Sequence, residues 1–150
     1  MTPSPATGPA ILVASAGEPF PPEVLAKVRE LAGDRRPPVV VVSVARIWGT
    51  ALGLPHPGLY PTRQEMQQQI ERVEAAKTVL GQKGLPAETA VIAARNPGKA
   101  IARYAEKTGC GIIVIPDPRA ARWQRILFGH LPHEIRRRTS IPVEPVLRSN

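Results

Sequence analysis

The run Val39-Val40-Val41-Val42-Ser43-Val44 holds five valines in six residues. Valine suits a pleated strand, and the lack of polar alternation means that both faces are covered, as in a parallel sheet flanked by helices. Working outward, Ile11 to Ala16 is a second apolar run, closed by Gly17. Between the two, Pro21 to Ala32 carries Val24, Leu25, Val28 and Leu31 at helical spacing before Gly33, and Asp34 to Pro38 is a turn cluster. The chain therefore opens as strand, helix, strand.

Downstream, Trp48 to Pro61 is rich in Gly, Pro and His, which fits either a loop over a ligand cleft or an inert surface loop. Thr62-Arg63-Gln64-Glu65 has capping-box spacing, and Met66, Ile70, Val73, Ala76 and Leu80 form one apolar stripe that stops at Gly84. Arg63, Gln67, Gln68, Glu71, Glu74 and Lys77 make the solvated face. Ala87 to Ala94 reads as a third strand. Asn96-Pro97 opens a helix with a buried stripe of Ala100, Ile101, Tyr104 and Ala105, ended by Gly109. Gly111 to Ile115 is the purest apolar run, which points to a central strand. A helical stretch around Trp123 to Phe128, a helix starting near Leu131-Pro132 and a last strand within Ile141 to Leu147 complete the order. Alternation of this kind predicts a single α/β domain: a doubly wound, mostly parallel five-stranded sheet with helices on both faces. Ligands in such folds sit at the carboxyl ends of the strands where strand order reverses, here the loops after Val13, Val44 and Ile115.

Composition agrees. Leu, Ile, Val and Phe make up 38 of the 150 residues, and proline plus glycine 30, so a packed core is expected rather than a disordered chain. No apolar run approaches the ~20 residues of a membrane span. The first ten residues hold three prolines and no basic segment, which reads as a flexible tail (1–10) before a domain over 11–150, without a secretory signal. The single cysteine, Cys110, between two glycines and ahead of an apolar strand, reads as a reduced core residue in a cytoplasmic protein.

Net charge is +8, of which residues 119–148 carry +5 through seven Arg against two Glu. Arg119, Arg122 and Arg125 recur every third residue; they either solvate a short helix or meet an anion. Arg136-Arg137-Arg138 lies where cations complement a helix C-terminus. Sparse aromatics and no known module argue against nucleic acid. His130 and His133 lack the companions of a metal site. No Ser/His/Asp set, carboxylate pair, P-loop or GxGxxG is recognisable, so an enzyme is not expected.

The order of elements, the segment Asn96-Pro97-Gly98-Lys99-Ala100-Ile101, the strand Ile112-Ile113-Val114-Ile115 and the tail Gly129-His130-Leu131-Pro132-His133-Glu134-Ile135 followed by Ile141-Pro142-Val143 resemble the universal stress protein family. The resemblance implies an adenine nucleotide alpha hydrolase-like fold. Family members that bind ATP carry glycines after the fourth strand, spaced Gly, two residues, Gly, nine residues, Gly and then Ser or Thr. That pattern falls here on Pro116, Arg119, Gly129 and His130, and the Asp that those members place at the end of the first strand is Ala16. Proline removes a backbone donor and arginine fills space that glycine leaves open. The resulting expectation is a non-enzymatic stress-response or regulatory protein without a cofactor, which does not bind ATP conventionally and acts through protein association with an unknown partner. The alternative is a nucleotide, ATP or AMP, or another anion held between the first and fourth strands by Ser15, Val44, Arg119, Gly129 and His130. Relatives commonly dimerise through the last strand, so a homodimer is implied, although Pro145 removes one ladder donor from that strand.

Overall fold

The computed structural model describes residues 9–47, 60–117 and 131–147. Its elements are β1 (Ala10–Ser15), α1 (Pro22–Ala32), β2 (Val39–Arg46), α2 (Arg63–Gln82), β3 (Ala87–Ala94), α3 (Pro97–Thr108), β4 (Cys110–Asp117), α4 (Leu131–Arg136) and β5 (Val143–Leu147). The helix expected around Trp123 to Phe128 lies outside the described residues, as do residues 1–8 of the expected tail.

The five strands lie in the order β3-β2-β1-β4-β5. Every described pairing is parallel, a stricter arrangement than the mostly parallel sheet that the sequence predicts. The chain steps outward from β1 to β2 to β3, then returns across the sheet to lay β4 on the other side of β1. Strand order therefore reverses between β1 and β4, and the crevice at their carboxyl ends is the topological switch point.

Each helix pair covers one face, as the direction of these crossovers requires. Val24, Leu25 and Val28 of α1 and Val73, Ala76 and Leu80 of α2 pack on Ile11, Val13, Val39 and Val41. On the opposite face, Ile101, Ala102 and Ala105 of α3 and Ile135 of α4 pack on Leu12, Ala14, Val40, Val42 and Val44. Covering both faces explains the valine run of β2. The middle strand is β1, whose Leu12, Val13 and Ala14 are fully buried; β4, expected at the centre, lies one place off it. Between β1 and β4 the register passes from Ala10–Cys110 to Ile11–Ile112, so Gly111 is an extra residue that shifts which side chains of β4 face each helix layer.

Two helical stripes are rotated from their expected positions. In α1 Ala32 is buried and Leu31 is exposed, and in α2 Gln69 is buried and Ile70 is exposed. In α3, Ile101 and Ala105 are buried as expected, Ala102 joins them, and Ala100 and Tyr104 are half-buried. Cys110 is a free, buried cysteine whose burial raises its thiol pKa.

Helix α3 meets α4 at Gly98, where a Cβ would stand 2.8 Å from Glu134 Cβ, closer than packed atoms allow. Gly81, within α2, has open space around it. Opposite outcomes follow for one substitution. Gly98→Ala should lower stability by about 1–3 kcal/mol through overpacking, whereas Gly81→Ala should raise it by about 0.5–1 kcal/mol by restricting the unfolded chain and favouring helix. Urea denaturation checks both, and equal midpoints for the two variants would contradict the α3–α4 packing.

Candidate functional site

The site is the crevice at the carboxyl ends of β1 and β4, walled by the end of β2 and the first turns of α2. The placement of α2 begins with its cap. Thr62 Oγ1 accepts from the Glu65 N–H at 3.0 Å while a Glu65 carboxylate oxygen accepts from the Thr62 N–H at 3.2 Å, the capping box expected from the sequence. The cap fixes where the helix starts. Gln69 and Arg72, three apart, then fall on the side that carries Val73, Ala76 and Leu80 into the core.

Ser43 is fully buried in β2, where its hydroxyl needs a partner. It donates to Gln69 Oε1 at 2.5 Å. The amide nitrogen of Gln69 in turn donates to the carbonyl of Gly17 at 3.1 Å, and the Arg72 guanidinium donates to the same carbonyl. Gly17 follows β1 with φ +93°, a left-handed conformation open to glycine, and this turns its carbonyl toward α2. One step away, Ser15 Oγ donates to the Glu18 carbonyl at 2.9 Å and closes the turn into α1. The polar groups at the end of β1 thus bond to one another and to α2.

Glu18 lies beside this knot. Glu18 is exposed overall, yet partial desolvation of its carboxyl on the side of the knot raises its pKa, and the positive charge of Arg72 opposes that rise without cancelling it.

Of the residues expected to hold a ligand, the structure brings two together. Ser15 is fully buried with its hydroxyl committed to Glu18. The Val44 side chain is fully buried in the core beneath α3, and its carbonyl oxygen lies 3.5 Å from where a Cβ on Gly17 would stand. Arg119, Gly129 and His130 lie outside the described residues. On the β4 side, Pro116 is buried opposite Val146 of β5 and offers no N–H, and Asp117 is half-buried at the strand end. Among the described residues no three of His, Cys, Asp and Glu come together as a metal site, and no helix is long and apolar enough to cross a membrane.

Gln69 and Arg72 do not stand out in the sequence of α2. Their signal was a single serine inside a valine strand, because a buried hydroxyl demands a polar partner from whichever helix covers it.

Solved structures with the same fold include a universal stress protein from Archaeoglobus fulgidus, at 19% identity and TM-score 0.69 over 93% of both chains. That organism's universal stress protein in complex with dAMP matches at 21% and 0.68, over 93% of this chain and 98% of that one. A universal stress protein family protein from Arabidopsis thaliana with AMP bound matches at 12% and 0.56, over 95% and 93%. These identities speak for the fold alone. No curated protein matches. The model of the universal stress protein family, however, matches residues 9–144, nearly the whole of the parallel sheet and its helices, and the chain belongs to that family.

Proposed function

We propose that this chain is a non-enzymatic, cytoplasmic regulatory or stress-response member of its family, which does not hold ATP in the conventional manner and acts through protein association, including a homodimer. One observation carries the reading: the end of β1 is closed from within, its Gly17 carbonyl shared by Gln69 and Arg72 and its Ser15 hydroxyl given to Glu18. Ala16 brings no carboxylate to that strand end and Pro116 brings no backbone donor to the end of β4. A nucleotide entering here would have to displace bonds that the protein already makes, and gain little from the groups beside them.

A second reading has its own support. The relatives from Archaeoglobus fulgidus and Arabidopsis thaliana hold dAMP and AMP, and Arg72 places a cation at the crevice. In that reading an adenine nucleotide or other anion lies between β1 and β4, with Ser15, Val44, Arg119, Gly129 and His130 as its contacts.

Calorimetric titration with ATP, AMP and dAMP separates the two. No heat of binding at millimolar ligand is expected; tight binding abolished by Arg119→Ala would establish the second reading in place of the first. Light scattering tests assembly: a dimer at tens of micromolar is expected, and a monomer would refute the homodimer.

The closed end of β1 also sets a pH dependence. Because the folded Glu18 pKa lies above its unfolded value, the stability it contributes is full below the unfolded pKa of about 4.3 and is lost as pH rises through the folded value. Glu18→Gln should therefore gain stability relative to the parent as pH goes from 3.5 to 7, read as a growing difference in Tm. A difference that stays constant over this range would show that Glu18 is not desolvated.

A further inference from the structure

The amino ends of the strands, opposite the crevice, gather the ends of all four described helices and the loops that follow them. Residues 29–38, 83–86, 106–109 and 136–142 form this end, with eight Lys and Arg against three Asp and Glu, a net +5 of the chain's +8. In sequence the charge is divided between an arginine-rich C-terminal third and scattered single residues; the parallel topology brings Arg35 and Arg36, Lys83, Lys107 and Arg136 to Arg138 to one side. Five strands spaced by about 4.8 Å make this surface roughly 19 Å across.

Some of these cations serve the fold. Arg29 donates to the Gly33 carbonyl, Arg136 to the Val143 carbonyl, and Arg137 pairs with Glu134. Helix C-termini also favour positive charge. Neither accounts for the tip of the α1–β2 loop. Arg36 is exposed with φ +46°, the one described residue other than glycine in the left-handed region, and the buried Pro37 follows it. Glycine or asparagine would relieve that conformation, yet an arginine holds it.

We propose that this basic end is a docking surface for an acidic segment of a partner protein. The claim rests on the reading that the chain works by protein association, but not on what the crevice holds. Two features select a protein over a nucleic acid. Glu30, Asp34 and Glu106 lie among the cations, where they would repel an unbroken phosphate backbone but accept the occasional lysine of a mainly acidic peptide. The loops of this end carry no aromatic side chain on which bases could stack. Arginine predominates over lysine six to two, which suits two-pronged pairing with carboxylates.

The test titrates the full chain at low salt with a fluorescent Asp/Glu-rich peptide carrying interspersed lysines, and in parallel with mixed-sequence duplex DNA and phosphatidylserine vesicles. Saturable peptide binding is expected, weakening steeply with salt and at least tenfold in the double variant Arg36→Glu/Arg138→Glu, while Arg63→Glu at the far end of the sheet changes nothing. Arg36→Gly should weaken binding several-fold and raise Tm together, a pairing that a purely structural arginine would not give. Tighter binding of DNA or vesicles than of peptide would overturn the assignment. Absence of peptide binding in a chain that is dimeric by light scattering overturns this surface alone; absence in a monomeric chain overturns the association reading with it.

Discussion

A buried hydroxyl organises the carboxyl end of this sheet. Ser43 sits in a strand covered on both faces, out of reach of water, and a buried polar group left without a partner costs about 1–3 kcal/mol. Gln69 of α2 meets it. The amide nitrogen of Gln69 then has the same need, and the carbonyl of Gly17 meets that. Each bond creates the requirement for the next, and the chain of bonds ties α2 to β2 and to the turn leaving β1. Arg72, one helical turn on, reinforces the last link.

The consequence reaches function through position. In a parallel sheet whose strand order reverses beside β1, the turn after that strand is where a ligand would be met. Here that turn is occupied by the protein's own side chains. Nothing in the fold requires this: the sheet order, the helix faces and the core would stand without it, and the polar groups at the strand end bond to one another and to α2. The opposite end of the sheet follows another logic. Its loops accept the buried amides of Ile11 and Ile113 through backbone carbonyls alone, and they carry the greater part of the net charge.

Most of the architecture was legible because each element declares itself locally. The valine run of β2, the Thr62–Glu65 capping box and the Asn96-Pro97 opening all stand where the sequence puts them. The misreadings share a cause. Hydropathy assigns Ile70 to the core of α2, but Gln69 is the residue turned inward, where Ser43 and the Gly17 carbonyl, both distant in sequence, give its buried amide partners. Hydropathy likewise favours Leu31 over Ala32, although the smaller side chain is the one packed against the sheet. The central place given to β4 rested on its apolar purity, which reports burial on both faces and not strand order; the order comes from the crossover after β3. Of the candidate ligand contacts, Ser15 closes β1 and Val44 lies two residues inside the end of β2, positions that the apolar runs mark. What their atoms are bonded to depends on α2 and was beyond local pattern.

The closed end of β1 depends on Gln69 and Ser43 acting as a unit, and a double-mutant cycle of Ser43→Ala and Gln69→Leu by urea denaturation measures that directly. Contacting residues in one hydrogen-bond network couple by about 0.5–3 kcal/mol. We predict a coupling of at least about 1 kcal/mol, with the double variant less destabilised than the sum of its parts because neither leaves the other stranded. Strictly additive effects would mean that the two residues do not depend on each other, and the closed end of β1 would lose its foundation.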